Sequence, residues 1–110
     1  MARDYGLEEV IREDLGLIPG LAEKPMFGGL AWLLGGHLLC GARDDGLLIR
    51  LGKGNDAWAL EIEGIRPMTS GRRAMTGWVR AEALAFGDDA IRARLIAESL
   101  AFVRSLPPKS

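Results

Sequence analysis

Side chains able to do covalent chemistry are scarce in this sequence. It has one histidine and one cysteine, His37 and Cys40, and a thiolate activated by an imidazole needs the two within hydrogen-bond reach. Residues three apart on a strand point to opposite faces, so the spacing argues against a nucleophile and base and for Cys40 as a small buried hydrophobe. Zinc held by this pair would need carboxylates for the rest of its ligands, which structural zinc sites rarely use. No metal and no cofactor is therefore expected. Adjacent acids occur at Glu8/Glu9, Glu13/Asp14, Asp44/Asp45 and Asp88/Asp89. Paired carboxylates can do acid–base work, but these lie in segments that read as helix exteriors, turns and caps, where such residues are ordinary.

The remaining chemistry is electrostatic. Residues 65–81, IRPMTSGRRAMTGWVRA, carry Arg66, Arg72, Arg73 and Arg80 with no acid among them. A turn presenting adjacent arginines suits a phosphate, a nucleic acid or an acidic protein partner. Four charges would give only modest and strongly salt-sensitive nucleic-acid binding, and no helix-turn-helix, zinc-finger or RNA-recognition signature accompanies them. Pairing with a protein partner, with acids inside the fold or across a dimer is the preferred expectation, with nucleic acid as the alternative. The net charge of -1 hides an asymmetry behind that choice: residues 1–63 hold six Lys/Arg and eleven Asp/Glu, giving -5, and residues 64–110 hold eight and four, giving +4.

A glycine-rich run needs an explanation of its own. From Pro25 to Ala42 there are eighteen residues without formal charge, just long enough to raise a membrane helix. The run contains Pro25, His37 and five glycines, and Gly35-Gly36 is a hairpin signal. Two strands are expected rather than a span. Neither phosphate-loop spacing is present, so Gly28 and Gly29 are read as permitting a bulge or a close backbone approach. A small-molecule pocket beside Gly28, Gly29 and Trp32 is a further alternative for function. Trp32, Trp58 and Trp78 are expected to pack in the core.

These residues are positioned by elements the pattern predicts in outline. Residues 4–15 read as a helix, with Leu7, Val10, Ile11 and Leu15 on one side and Glu8, Glu9, Arg12 and Glu13 on the other. LIPGLAEK reads as a connection, followed by strands over about 25–34, 37–43 and 47–52. GNDAWALEIEG holds a short helix capped by Asn55 or Asp56; Arg66–Met68 and Met75–Arg80 are strands around a turn; and Asp88 or Asp89 starts a last helix to about residue 105, stopped by Pro107-Pro108. Its expected stripe is Ile91, Leu95, Phe102 and Leu106.

The order α-βββ-α-ββ-α predicts one α+β domain over residues 1–110, two layers deep, with helices on one face of an antiparallel sheet. Alternation places Leu38, Cys40 and Ala42 on one side of their strand and His37, Leu39 and Arg43 on the other. In the next strand Leu47, Ile49 and Leu51 oppose Leu48 and Arg50. The uncovered face would thus mix leucines with arginines, either as a dimer or partner surface does or as the scattered exposed apolar residues of an ordinary surface do. With a charged N-terminus lacking a signal-peptide core and with one cysteine, the expected location is cytoplasmic, away from membranes.

The segments KPMFGGLAWLLGGHLLCG, DDGLLIRLG, RPM followed by GRRAMTGWVRA, and LAFVRSLPPK together resemble the N-terminal domain of the TfoX/Sxy family, over about Lys24 to Lys109. The resemblance implies an α+β domain similar to type III secretion chaperones and often dimeric. It also implies a role in transcriptional control of natural competence, without enzymatic activity or catalytic residues. The family's regulators look like two-domain proteins with a helical C-terminal domain, which a chain ending at Ser110 is expected to lack. The resulting expectation is a non-enzymatic regulatory or adaptor module, homodimeric, that binds protein around Arg66, Arg72, Arg73 and Arg80.

Overall fold

The computed structural model describes residues 3–26 and 28–107. Helix α1, Tyr5–Leu15, begins where the Asp4 carboxylate accepts a 3.0 Å hydrogen bond from the Leu7 amide and ends at Gly16, whose φ of 61° suits glycine. Leu7, Ile11 and Leu15 are buried at four-residue spacing, as expected of an amphipathic helix. Glu8, assigned to the solvent side by periodicity, is instead buried, because Arg3 folds back over it.

Strands β1 (Leu21–Met26), β2 (Gly29–Leu34), β3 (His37–Arg43) and β4 (Gly46–Arg50) form a meander. After the four-residue helix α2 (Ala57–Leu60), strands β5 (Ile65–Ser70) and β6 (Arg73–Ala81) make a hairpin. A short helix α3 (Ala83–Phe86) leads into the long α4 (Asp89–Arg104). The six strands form one antiparallel sheet in the order β1-β2-β3-β4-β6-β5, and α1 and α4 pack on one of its faces. The α+β class and the one-sided helical layer are as the sequence predicts.

Two differences concern the glycine run. LAEKPM is a strand, not a connection, and the expected strand over 25–34 is broken by a reversal that sets Met26 opposite Gly29. Gly28 takes φ 76° there, while Phe27 lies outside the described residues. Edge strand β1 escapes pattern detection because it is mostly exposed and lacks alternation; exposed Glu23 and Lys24 and the donor-free Pro25 blunt its open edge. Gly29 meets its expected purpose of close approach, since a Cβ there would lie 2.1 Å from the Ala42 carbonyl oxygen.

The third difference alters both faces of the sheet. Trp32 pairs with Cys40 but Leu33 pairs with Leu38, so Leu39 is an extra residue in β3. A bulge of this kind interrupts alternation. Leu39 and Cys40 therefore both enter the main core, with Trp32, Leu47, Ile49, Leu51, Val79 and Leu95. Leu38 turns to the other face, correcting the expected grouping of Leu38 with Cys40 and Ala42. There it joins Leu48, Met68, Met75 and Trp78 in a second cluster. A second irregularity, in β6 around Gly77, lets Gly77 oxygen accept from both the Leu51 and Gly52 amides at 2.7 and 3.1 Å.

Helix α4 is capped by Asp88, which accepts from the Ala90 and Ile91 amides. Its buried stripe is Arg92, Leu95, Ile96, Ser99 and Val103, displaced from the expected one because it contains two polar residues. Ser99 Oγ donates at 2.9 Å to the carbonyl of the bulged Leu39, and Arg92 binds Asp14 of α1, Asp89 and the Phe86 carbonyl. Pro108, the second residue of the expected stop, lies outside the described residues.

Ser99→Ala leaves a buried carbonyl without its donor and is expected to cost about 1–3 kcal/mol, measured by chemical denaturation. Gly29→Ala forces the β2–β3 ladder apart and is expected to cost about 2 kcal/mol or more. Gly6→Ala, a helical position whose new Cβ meets nothing closer than 3.6 Å, is expected to stabilise by about 0.5–1 kcal/mol in the same assay.

Candidate functional site

The four arginines of the basic segment do not converge. Arg66 and Arg80 are paired across the β5–β6 ladder, with Leu48 beyond Arg80 on β4, so this row lies on the sheet face away from α1 and α4. Arg66 Nε donates to Glu82 Oε2 at 3.0 Å, and Arg80 Nη1 donates to the same oxygen at 3.3 Å and to the Asp45 carbonyl at 3.0 Å. Glu82 directly follows the acid-free window, so an acid one residue outside it partners both cations. It is a residue the sequence reading missed, and only the strand register brings it to Arg66.

Arg72 and Arg73 stand at the opposite end of the hairpin. The β5–β6 reversal pairs Ser70 with Arg73 around Gly71 and Arg72, with Gly71 at φ 62°. Both arginines are exposed, and neither has a carboxylate partner among the described residues. At roughly 3.4 Å per strand residue, the turn is about 14 Å from Arg66. The site therefore divides into a row in which two arginines share one carboxylate and a tip whose two arginines have none among the described residues.

The apolar part of the expected surface is also different. Leu48 is completely buried, Met68 and Trp78 are almost so, and Leu38 and Met75 pack against them. The face away from the helices thus seals a small core of its own rather than offering open leucines. The large apolar side chains that are exposed, Tyr5, Leu17 and Leu84, lie in other parts of the fold.

The covalent candidates separate in a way that parity alone did not anticipate. His37 Nε2 lies 2.6 Å from the Pro107 carbonyl at the end of α4; a carbonyl only accepts, so this nitrogen carries the proton. Cys40 is fully buried, and that burial pushes its thiol pKa well above the ordinary range. The bulge removes the argument from opposite faces, but burial leaves Cys40 an inert core residue. Trp32 is buried and Gly29 packs against the Ala42 carbonyl, closing the space expected for a ligand at these residues. Trp58 is half-buried on α2, with the Arg94 guanidinium 3.9 Å from its ring centroid. Among the described residues no three His, Cys, Asp or Glu side chains are grouped to hold a metal, and no helix is long and apolar enough to cross a membrane.

The acid pairs have structural partners. Glu8 takes a two-pronged hydrogen bond from Arg3 at 2.8 and 2.9 Å, Glu9 and Glu23 share Arg12, Asp45 holds Arg43, and Asp88 caps α4. Most of these ion pairs join residues of the same half of the chain. Within the chain, and among the described residues, the four arginines therefore form no ion pair with an acid of residues 1–63; the Arg92–Asp14 pair is a link that does join the two halves.

A six-stranded antiparallel sheet backed by helices on one face, with a basic hairpin tip, defines a small α+β domain. The chain matches the family model of the TfoX N-terminal domain over residues 13–103 of its 110 and belongs to that family. No curated protein and no solved structure matches it significantly.

The Arg3 hydrogen bonds hold the Glu8 carboxyl below the usual carboxylate range despite its burial. A carboxyl depressed in the folded state contributes stability above its unfolded pKa and loses it as pH falls through the folded value. Glu8→Gln is therefore expected to lose less stability than the parent protein between pH 7 and pH 3, as read from urea midpoints at the two pH values.

Proposed function

We propose that this TfoX N-terminal domain is a non-enzymatic regulatory or adaptor module that binds protein through the tip of the β5–β6 hairpin, as a cytoplasmic homodimer. The observation carrying the reading is the contrast among its arginines. Arg66 and Arg80 are held by Glu82, whereas Arg72 and Arg73, at a tight turn, have no acid partner among the described residues. Arginine suits such a role because its planar fork binds a carboxylate through two parallel hydrogen bonds. Arg66 and Arg80 then act as a base for the hairpin, and an acidic segment of a partner meets Arg72 and Arg73. Membership of a family related to competence regulators supports a regulatory setting.

The test is affinity capture of the tagged chain from its host lysate, with and without nuclease, beside an Arg72→Glu/Arg73→Glu variant. The expected result is a protein that survives nuclease and is lost from the variant, with the same change in Arg66 leaving capture intact. Recovery of only nuclease-sensitive material would favour nucleic acid instead. Two arginines would then give a slope of log affinity against log salt of about -2 on duplex DNA. Sedimentation of the purified chain checks the homodimer.

A further inference from the structure

Away from the hairpin, a pocket of about 320 Å³ opens at one end of the sheet. Three elements form it: the connection after α1 supplies Ile18 and Pro19, the β2–β3 turn supplies Leu34 and His37, and the end of α4 supplies Val103, Arg104 and Leu106. Its volume is near the lower limit of small-molecule pockets, about 300–1,000 Å³, whose walls are mostly apolar with a few polar groups that fix orientation. The same composition is present here, since His37 and Arg104 are the polar side chains in an otherwise aliphatic lining.

The lack of a partner for Arg104 separates this pocket from the others. Arg3, Arg12, Arg43, Arg66, Arg80 and Arg92 each hold a carboxylate, and Arg50 and Arg94 stack on aromatic rings. Arg92, which lines another hollow, is paired with Asp14 and Asp89. Arg104 has neither kind of partner among the described residues, and no acid lines its pocket. The other polar side chain of the lining, His37, is hydrogen-bonded to the Pro107 carbonyl. An unpaired guanidinium beside an aliphatic hollow is complementary to a small anion with an apolar tail.

We infer that this pocket binds a short aliphatic monocarboxylate, its tail among Ile18, Leu34, Val103 and Leu106 and its carboxylate on Arg104. The tail gains from leaving water in proportion to its buried area. The carboxylate gains a charge-assisted, two-pronged hydrogen bond that an alcohol or amine of the same shape does not. The site is distinct from the hairpin tip and does not depend on the partner proposed there.

The test is a titration of the isotope-labelled full chain with 4-methylpentanoate, followed by amide chemical shifts. Acetate and 4-methylpentylamine serve as probes lacking the tail and the anion. Shifts are expected at residues 18–20, 34–37 and 103–106, with little response to either control. Arg104 is exposed, so Arg104→Gln should fold normally, and it is expected to weaken 4-methylpentanoate binding about tenfold, in keeping with one charged hydrogen-bonding partner. Absence of shifts at these residues, equal response to the amine, or unchanged affinity in Arg104→Gln would overturn the assignment.

Discussion

The extra residue in β3 is the constraint on which the rest of the structure depends. Leu39 and Cys40 both face the helices, so the strand reaches α4 with two consecutive buried side chains and one carbonyl outside the regular ladder. A buried carbonyl left without a donor costs about as much as a lost hydrogen bond. Ser99 supplies that donor from the middle of the α4 stripe, which fixes the rotation of the helix as well as its distance from the sheet. The same insertion sends Leu38 to the far face, where it completes the cluster around Leu48. One local irregularity thus sets the register of the helical layer and gives the sheet a second core.

The ionic residues act mainly within this frame. Arg92 is buried at the junction of α1, α3 and α4, and its donors are used by two carboxylates and a carbonyl. Removing one member of such a group leaves charge buried without compensation, so the arrangement specifies geometry more than it adds net stability. Arg66 and Arg80 are likewise committed to Glu82. Three arginines have neither a carboxylate nor an aromatic partner among the described residues: Arg72 and Arg73 at the hairpin tip and, beside the apolar pocket at the β2–β3 turn, Arg104. These two positions combine accessible positive charge with a rigid support, the first on a tight turn and the second on the last turn of a long helix.

Much of the fold is legible because it rests on local physics. Asp88, one of the two expected starts of the last helix, caps α4, Leu7, Ile11 and Leu15 form the expected buried side of α1, and Gly35-Gly36 turns β2 into β3. Strand β1 is not legible, because an edge strand with one shallow side needs no alternation and carries charges and proline to prevent further pairing. Nor is the α4 stripe, since Arg92 and Ser99 read as surface residues until their partners are in view. The basic segment is legible as composition only. Whether an arginine is free depends on an acid brought across a ladder, and Glu82 lies just beyond the acid-free segment 65–81.

The sequence by itself determined the class of the domain, the starts of α1, α2 and α4 to within a residue or so, most of its turns, its family and the presence of a basic hairpin, because caps, glycine turns, periodicity and motifs act over a few residues; the short α3 carries no such signal. Tertiary structure alone decided which arginines are paired with an acid, which face each β3 side chain occupies, and where a pocket forms. Each of those depends on register: a one-residue insertion reverses the facing of the strand beyond it, and neither its position nor the donor that satisfies it is written in the neighbouring residues.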